Sequence, residues 1–387
     1  MVIGQSAMIG SVRADQPAVR RRRALVAVAA LVALLLGAVI GAGADEKSPA
    51  PPPAGATPSP EPAERARAAV DKLSLEQQVG HMVILRFAGT TAPGYVRRAL
   101  REGRAAGVIL FADNVVSPDQ LRTLTRALHA PLVCVDQEGG EVRILPWAPP
   151  QGAASEQAAA GTVRTDARAA GEALRSAGVT VTLAPVADVP TVSGAALAGR
   201  AFSSDPDAAA AAISDAIRGW HEGGVATTVK HFPGLGGAAV NTDDGPSKIA
   251  RTRAEMDRDL VPFRAAIDAG TEFVMAGHAT YPALDGLHIA SQSPAIIDGL
   301  LRRELGFDGV VMTDSLEAAA VQDVAGVEEA AVASAEAGVD VILTTGRGSY
   351  IRVYRALLAR AKADREFRAR VRESAARVLA AQSSKDG

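Results

Sequence analysis

Between residues 82 and 347 short aliphatic runs recur, each entered from a glycine or polar turn and each followed by a stretch with apolar residues three and four apart. Eight are found: MVILRFAG from Met82, GVILFADN from Gly107, LVCVDQEG from Leu132, VTLAPVADV from Val181, ATTVKHFPG from Ala226, FVMAGHATYP from Phe273, GVVMTDSLE from Gly309 and VDVILTTGR from Val339. The intervening segments, such as SPDQLRTLTRALH from Ser117 and AEMDRDLVPFRAAIDAG from Ala254, have the spacing of amphipathic helices. Continuously apolar strands alternating with such helices predict a parallel sheet covered by helices. Eight units in about 320 residues predict an α/β fold closed as a (β/α)8, TIM-like barrel instead of an open doubly wound sheet. Read forward, the apolar runs end in Asp113, Asp136, Asp188, Lys230 with His231, His278 and Asp314. That is the C-terminal edge, where barrel enzymes place their chemistry, although a strand-end aspartate can also simply cap the next helix.

The N-terminus follows a different pattern. Arg20 to Arg23 precede an uninterrupted small and aliphatic run from Ala24 to Ala44, long enough to cross a bilayer and ending in Ala42-Gly43-Ala44, which suits signal peptidase. Residues 1–44 are therefore expected to be a basic N-terminus plus a signal peptide or an anchor in the cytoplasmic membrane. The remainder is expected outside the cytoplasm, either secreted or held at that membrane by residues 24–44. Residues 45–62, DEKSPAPPPAGATPSPEP, predict an extended Pro-rich linker, leaving 63–382 for the barrel. A net charge of −2, from 41 basic and 43 acidic residues, provides no global field for nucleic acid. The single cysteine, Cys134 in PLVCV, closes no internal disulfide and reads as a small core side chain. His81, His129, His221 and His288 show no metal-ligand spacing, and neither a metal nor a cofactor is expected.

KHFPG at Lys230 to Gly234 resembles the fifth-strand signature of family 3 glycoside hydrolases. VDQEGG at Val135, APVADV at Ala184, GRAFSSDP at Gly199 and GFDGVVMTDSL at Gly306 resemble that family's other motifs in the same order, and the likeness spans roughly residues 70 to 345. It is strongest to the single-barrel β-N-acetylhexosaminidases, which implies one catalytic domain and removal of terminal β-linked N-acetylglucosamine, or a related β-hexose, from cell-wall or chitin-type oligosaccharides. The resemblance implies that Asp314 is the nucleophile of a retaining double displacement. It further implies that Asp136, Arg200, Lys230 and His231 bind the sugar's hydroxyls, that His278 lines the pocket and that Asp188 orients its neighbours. Adjacent residues on a regular strand point to opposite faces, so Lys230 and His231 can share a site only if the strand end is irregular.

The loop after KHFPG departs from the family pattern. Hexosaminidases of the family carry the acid/base as a histidine in an Asp-Ser-His sequence there, whereas this loop reads GLGGAAVNTDDGP, and an ungapped count from Lys230 places Asp243 at the histidine. Leu235 stands where the family often has histidine, and Glu141-Val142-Arg143 follow the glycines where arginine is usual. Three readings follow. Asp243, or alternatively Asp244, protonates the leaving oxygen; or the barrel is a weak or inactive sugar- or peptidoglycan-binding protein; or Gly346-Arg347-Gly348-Ser349 binds phosphate in a barrel enzyme of another class.

Overall fold

The computed structural model describes residues 62–383. The expected signal or anchor segment and nearly all of the Pro-rich linker lie outside the described residues; among the residues described, no helix is long and apolar enough to cross a membrane. Eight strands form one parallel sheet: β1 (Val83–Arg86), β2 (Gly107–Ile109), β3 (Leu132–Val135), β4 (Val181–Thr182), β5 (Ala226–Phe232), β6 (Phe273–Ala276), β7 (Val310–Thr313) and β8 (Ile342–Leu343). Neighbours in sequence are neighbours in space from β1 to β7, and β8 pairs with β1. The circle closes between β7 and β8 through a Met312–Val341 bridge, with Thr313 N donating to Val341 O at 2.9 Å and Val341 N to Val311 O at 3.0 Å.

Alternation along the strands separates two apolar layers. Ile84, Ile109, Cys134, Val181, Met275, Met312 and Leu343 fill the barrel interior, while their neighbours Val83, Val108, Val133, Val274 and Val311 pack outward against helices. Each fully buried aliphatic side chain contributes about 1.5–3 kcal/mol, so a one-residue slip that exchanged the two faces would forfeit several such contributions. The helix Arg365–Ser383 underlies the barrel and sends Val378 into the interior cluster. The amphipathic segment after β5 is two helices, not one. Arg253–Asp259 and Val261–Asp268 are separate, with Pro262 in the first turn of the second, where its missing N–H costs no helical bond.

The long loop joining β5 to those helices is held on three sides. Thr191 N donates to Gly236 O and Ala196 N to Ala238 O from the β4 loop, at 2.9 Å each. Ile249 N donates to Thr280 O at 2.9 Å beyond β6, and Ala319 N and Ala320 N reach Asp243 O and Thr242 O, at 3.2 and 3.1 Å, from beyond β7. Gly236 makes the first of these approaches feasible, since a Cβ there would lie 1.7 Å from Val189 O.

Candidate active site

At the C-terminal ends of the strands a cavity of about 320 Å³ opens, lined among others by Asp136, Arg200, Lys230, His231, Asp243, Asp314, Ser315 and Thr345. Six of the eight residues assigned to chemistry or sugar contact from sequence thus surround one space. Asp244 is exposed and His278 is buried, and neither lines the cavity.

Asp314 follows β7, its amide donating to Ala276 O at 3.0 Å and its Oδ1 accepting from Ser315 N at 2.7 Å. Oδ2 lies 3.9 Å from His231 Nε2. Burial works to raise this carboxyl, but His231, His278, Lys230 and the Ser315 N–H outweigh it and hold Asp314 below the usual carboxylate range. His278 is itself kept toward its neutral form by burial, so its share in this is a dipole's more than a full charge's.

Lys230 and His231 reach the cavity together because the end of β5 is irregular. Its register against β6 shifts between Val229 and Phe232, and the Lys230–His231 peptide is cis. Lys230 Nζ lies 2.5 Å from Asp136 Oδ1 and 2.6 Å from Glu138 Oε1, while Arg200 forks onto Glu138 with 2.8 and 2.7 Å bonds from Nε and Nη2. Burial opposes ionisation of Glu138, yet Lys230 and Arg200 overcome it and pull the carboxyl down to about 2. Two cations and two carboxylates therefore neutralise one another, which permits so much charge to be buried. Sequence reasoning missed Glu138. Its signal was the i, i+2 relation to Asp136 within VDQEGG, which puts both on one face of an extended segment.

Asp188 is buried and orients His231, as expected. Its Oδ2 lies 2.7 Å from His231 Nδ1, which must donate to a carboxylate, and its Oδ1 accepts from the Leu235 amide at 2.6 Å. Nε2 of His231 is left facing Asp314. The structure corrects the expectation for His278, whose ring stands behind the wall. Nε2 donates to Ser315 O at 3.0 Å and Nδ1 pairs with Ser291 Oγ at 2.8 Å, so both nitrogens are occupied. Leu235 turns its side chain into the core, and Val142 lines the cavity in the segment where the family's arginine is absent.

Asp243 is an exposed loop residue, yet its side chain lines the cavity. Partial loss of solvent there, and then the negative charge of Asp314, raise its carboxyl above the usual range. Asn241 Nδ2 donates to it at 3.3 Å. Two carboxyls on one cavity, one pushed down and one pushed up, suit a nucleophile and a proton donor. Glu317 lies against the start of the Gly346–Ser349 turn, its Oε2 accepting from Thr345 N at 2.8 Å and its Oε1 2.7 Å from where a Cβ on Gly346 would stand, so the turn faces a protein carboxylate.

The Glycosyl hydrolase family 3 N-terminal domain matches residues 74–381. A β-hexosaminidase of Stenotrophomonas maltophilia is 37% identical over 281 residues, covering 68% of this chain and 82% of that one. A β-N-acetylhexosaminidase of Beutenbergia cavernae superposes with a TM-score of 0.74 at 34% identity, covering 80% of this chain and 99% of that one. A family 3 β-N-acetylglucosaminidase of Paenibacillus superposes with a TM-score of 0.75 at 33% identity over 81% of this chain, which spans 64% of the Paenibacillus protein. With the strand-end constellation described above, these likenesses make the chain a member of glycoside hydrolase family 3, and a glycosidase.

Proposed function

We propose that this protein is a retaining exo-glycosidase that removes terminal β-linked N-acetylglucosamine, with Asp314 as nucleophile and Asp243 as acid/base. The observation that carries this reading is that Asp314 and Asp243 line one cavity, where their surroundings push the two carboxyls in opposite directions. In the first step an Asp314 oxygen bonds to the anomeric carbon as the glycosidic C–O bond breaks, and the departing oxygen takes the proton of Asp243. In the second, Asp243 removes a proton from water, the water oxygen bonds to the anomeric carbon, and Asp314 leaves as a carboxylate. Asp136, Lys230, Arg200 and His231 supply rigid donors and acceptors for hydroxyls. Ile109, Leu183, Met275 and Leu343 offer an apolar floor to the ring's C–H face. The cavity is at the small end of ligand sites, which suits a single terminal ring. The hexosaminidase relatives support the N-acetylated sugar.

Export is part of the proposal. The basic cluster at Arg20–Arg23 and the apolar run to Ala44 support a location at or beyond the cytoplasmic membrane, where cell-wall or chitin-type oligosaccharides are the accessible substrates. Hydrolysis of an aryl N-acetyl-β-glucosaminide with retention at the anomeric carbon is the expected result. Binding of N-acetylglucosamine without cleavage of any activated glycoside, at any pH, would replace the enzyme with a sugar-binding protein.

A further inference from the structure

Glu317 is separate from the groups given roles above and does not line the cavity, yet it touches two residues that do. Its Oε2 accepts from Thr345 N at 2.8 Å and lies 3.1 Å from Ser315 Oγ and 3.0 Å from Thr345 Oγ1, while the two hydroxyls, 2.6 Å apart, share a hydrogen bond. Its Oε1 lies against Gly346 and Ser349 at the start of the 15-residue helix Ser349–Ala363, the end of a helix that favours negative charge. The half-buried carboxylate therefore joins the β7 loop to the β8 loop. Burial would raise it, but the Ser349 hydroxyl and the Thr345 and Gly346 amides hold it below the usual range.

Ser315 is the relay. Its N–H donates to Asp314 Oδ1, its carbonyl accepts from His278 Nε2, and its hydroxyl is bonded within the Glu317–Thr345 cluster. The residue whose amide grips Asp314 is thus held through its own carbonyl by a histidine and through its side chain by Glu317. An ionised carboxylate only accepts, so one of the two hydroxyls donates to it and the other donates to that hydroxyl across the 2.6 Å gap, which keeps both hydrogens within the cluster.

We propose that Glu317 is a positioning residue for the nucleophile: by clamping Ser315 and Thr345 across the β7–β8 seam it fixes the Ser315 amide, and through it the aim of Asp314 at the anomeric carbon. This rests on the reading of Asp314 as the nucleophile.

Glycosylation is followed with a dinitrophenyl N-acetylglucosaminide, whose leaving group needs no proton and so leaves Asp243 out of the measurement, and by the rate at which a 5-fluoro sugar with a good leaving group labels Asp314. E317A is expected to lower the glycosylation rate about 10²-fold, as a misplacement of about 1 Å does, with KM changed less than about threefold. E317Q, similar in size and able to accept from Thr345 N, is expected to recover part of the loss. A purely structural role would lower the amount of folded protein without this split between kcat and KM. Wild-type labelling rates in folded E317A or E317Q would overturn the proposal, as would a rate lost only in proportion to folded protein. If E317A does not fold, the E317Q labelling rate decides. Labelling of the unmutated protein at a residue other than Asp314 would instead sink the nucleophile assignment, whatever Glu317 does.

Discussion

Two carboxylates on adjoining strands stand at opposite ends of the barrel and are treated in opposite ways. Asp340, just before β8, is fully buried and accepts from Arg302 at 2.5 Å, Arg370 at 2.8 Å, Arg377 and Ser374 at 3.1 Å each, and the Val311 amide at 3.0 Å. Asp314, just after β7, takes one bond from Ser315 N and turns its other oxygen toward His231 and the cavity, with 19% of the side chain exposed. Burial works against ionisation of both, and nearby positive groups hold both below the ordinary range. The difference lies in saturation. Donors that occupy every lone pair make Asp340 a strut across the β7–β8 seam, whereas an ionised carboxylate with an open oxygen can attack an electrophile.

Exchanging the carboxylates for amides should separate the two roles. D314N is expected to lower glycosylation on the order of 10⁴-fold, because the amide is nearly isosteric but not an anionic nucleophile. Its melting temperature should stay within a few degrees of the parent; if turnover survives, the assignment fails. D340N should do the reverse, costing about 3–5 kcal/mol in denaturant unfolding by leaving three arginines around a neutral group, with activity per folded molecule retained. The depressed folded-state pKa of Asp340 means that its stabilisation is present above the ordinary aspartate pKa and is lost as pH falls through the folded value. D340N should therefore flatten the acid limb of the stability profile, and an unchanged limb would show that other carboxylates set it.

D243A is expected to slow release of a natural alcohol about 10²-fold while barely changing glycosylation from a dinitrophenyl glycoside, with azide restoring turnover of the trapped intermediate. Equal losses for good and poor leaving groups without azide rescue would pass the role to Asp244 or another group. The smallest effect concerns pH. Asp243 works protonated, so the rate with a poor leaving group falls as pH rises through its raised pKa. Asp314 works ionised, so the rate falls as pH drops through its depressed value. With a dinitrophenyl glycoside the alkaline limb should vanish from glycosylation, and its persistence would show that the limb belongs to another group.

The barrel was legible because its signal is local. Each apolar run became a strand of the sheet, since a strand buried on both faces needs no partner to be recognised as apolar. The strand-end carboxylates and Lys230 were legible for the same reason, as charges where a core run stops. Proline at 262 also carried its message locally, though the amphipathic spacing hid it. What sequence left open was which charges share a space and which are spent on one another. Asp113, at the end of the second run, pairs with Arg86 and does not line the active-site cavity, while Asp136 at the end of the third meets Lys230. His278 reads like a pocket residue until Ser291 and the Ser315 carbonyl are seen to occupy its ring.

The pattern along the chain thus determined the eight strands, their covering helices and the edge where polar side chains collect, because burial and periodicity are properties of neighbours in sequence. Only the tertiary structure decided that Glu138 neutralises Arg200 and Lys230, that Glu317 joins Ser315 to Thr345, and that Asp243, not Asp244, faces Asp314. The pKa of a carboxyl and the direction in which it can react depend on solvent exclusion and on charges brought in from distant strands, and no spacing within one segment encodes those distances.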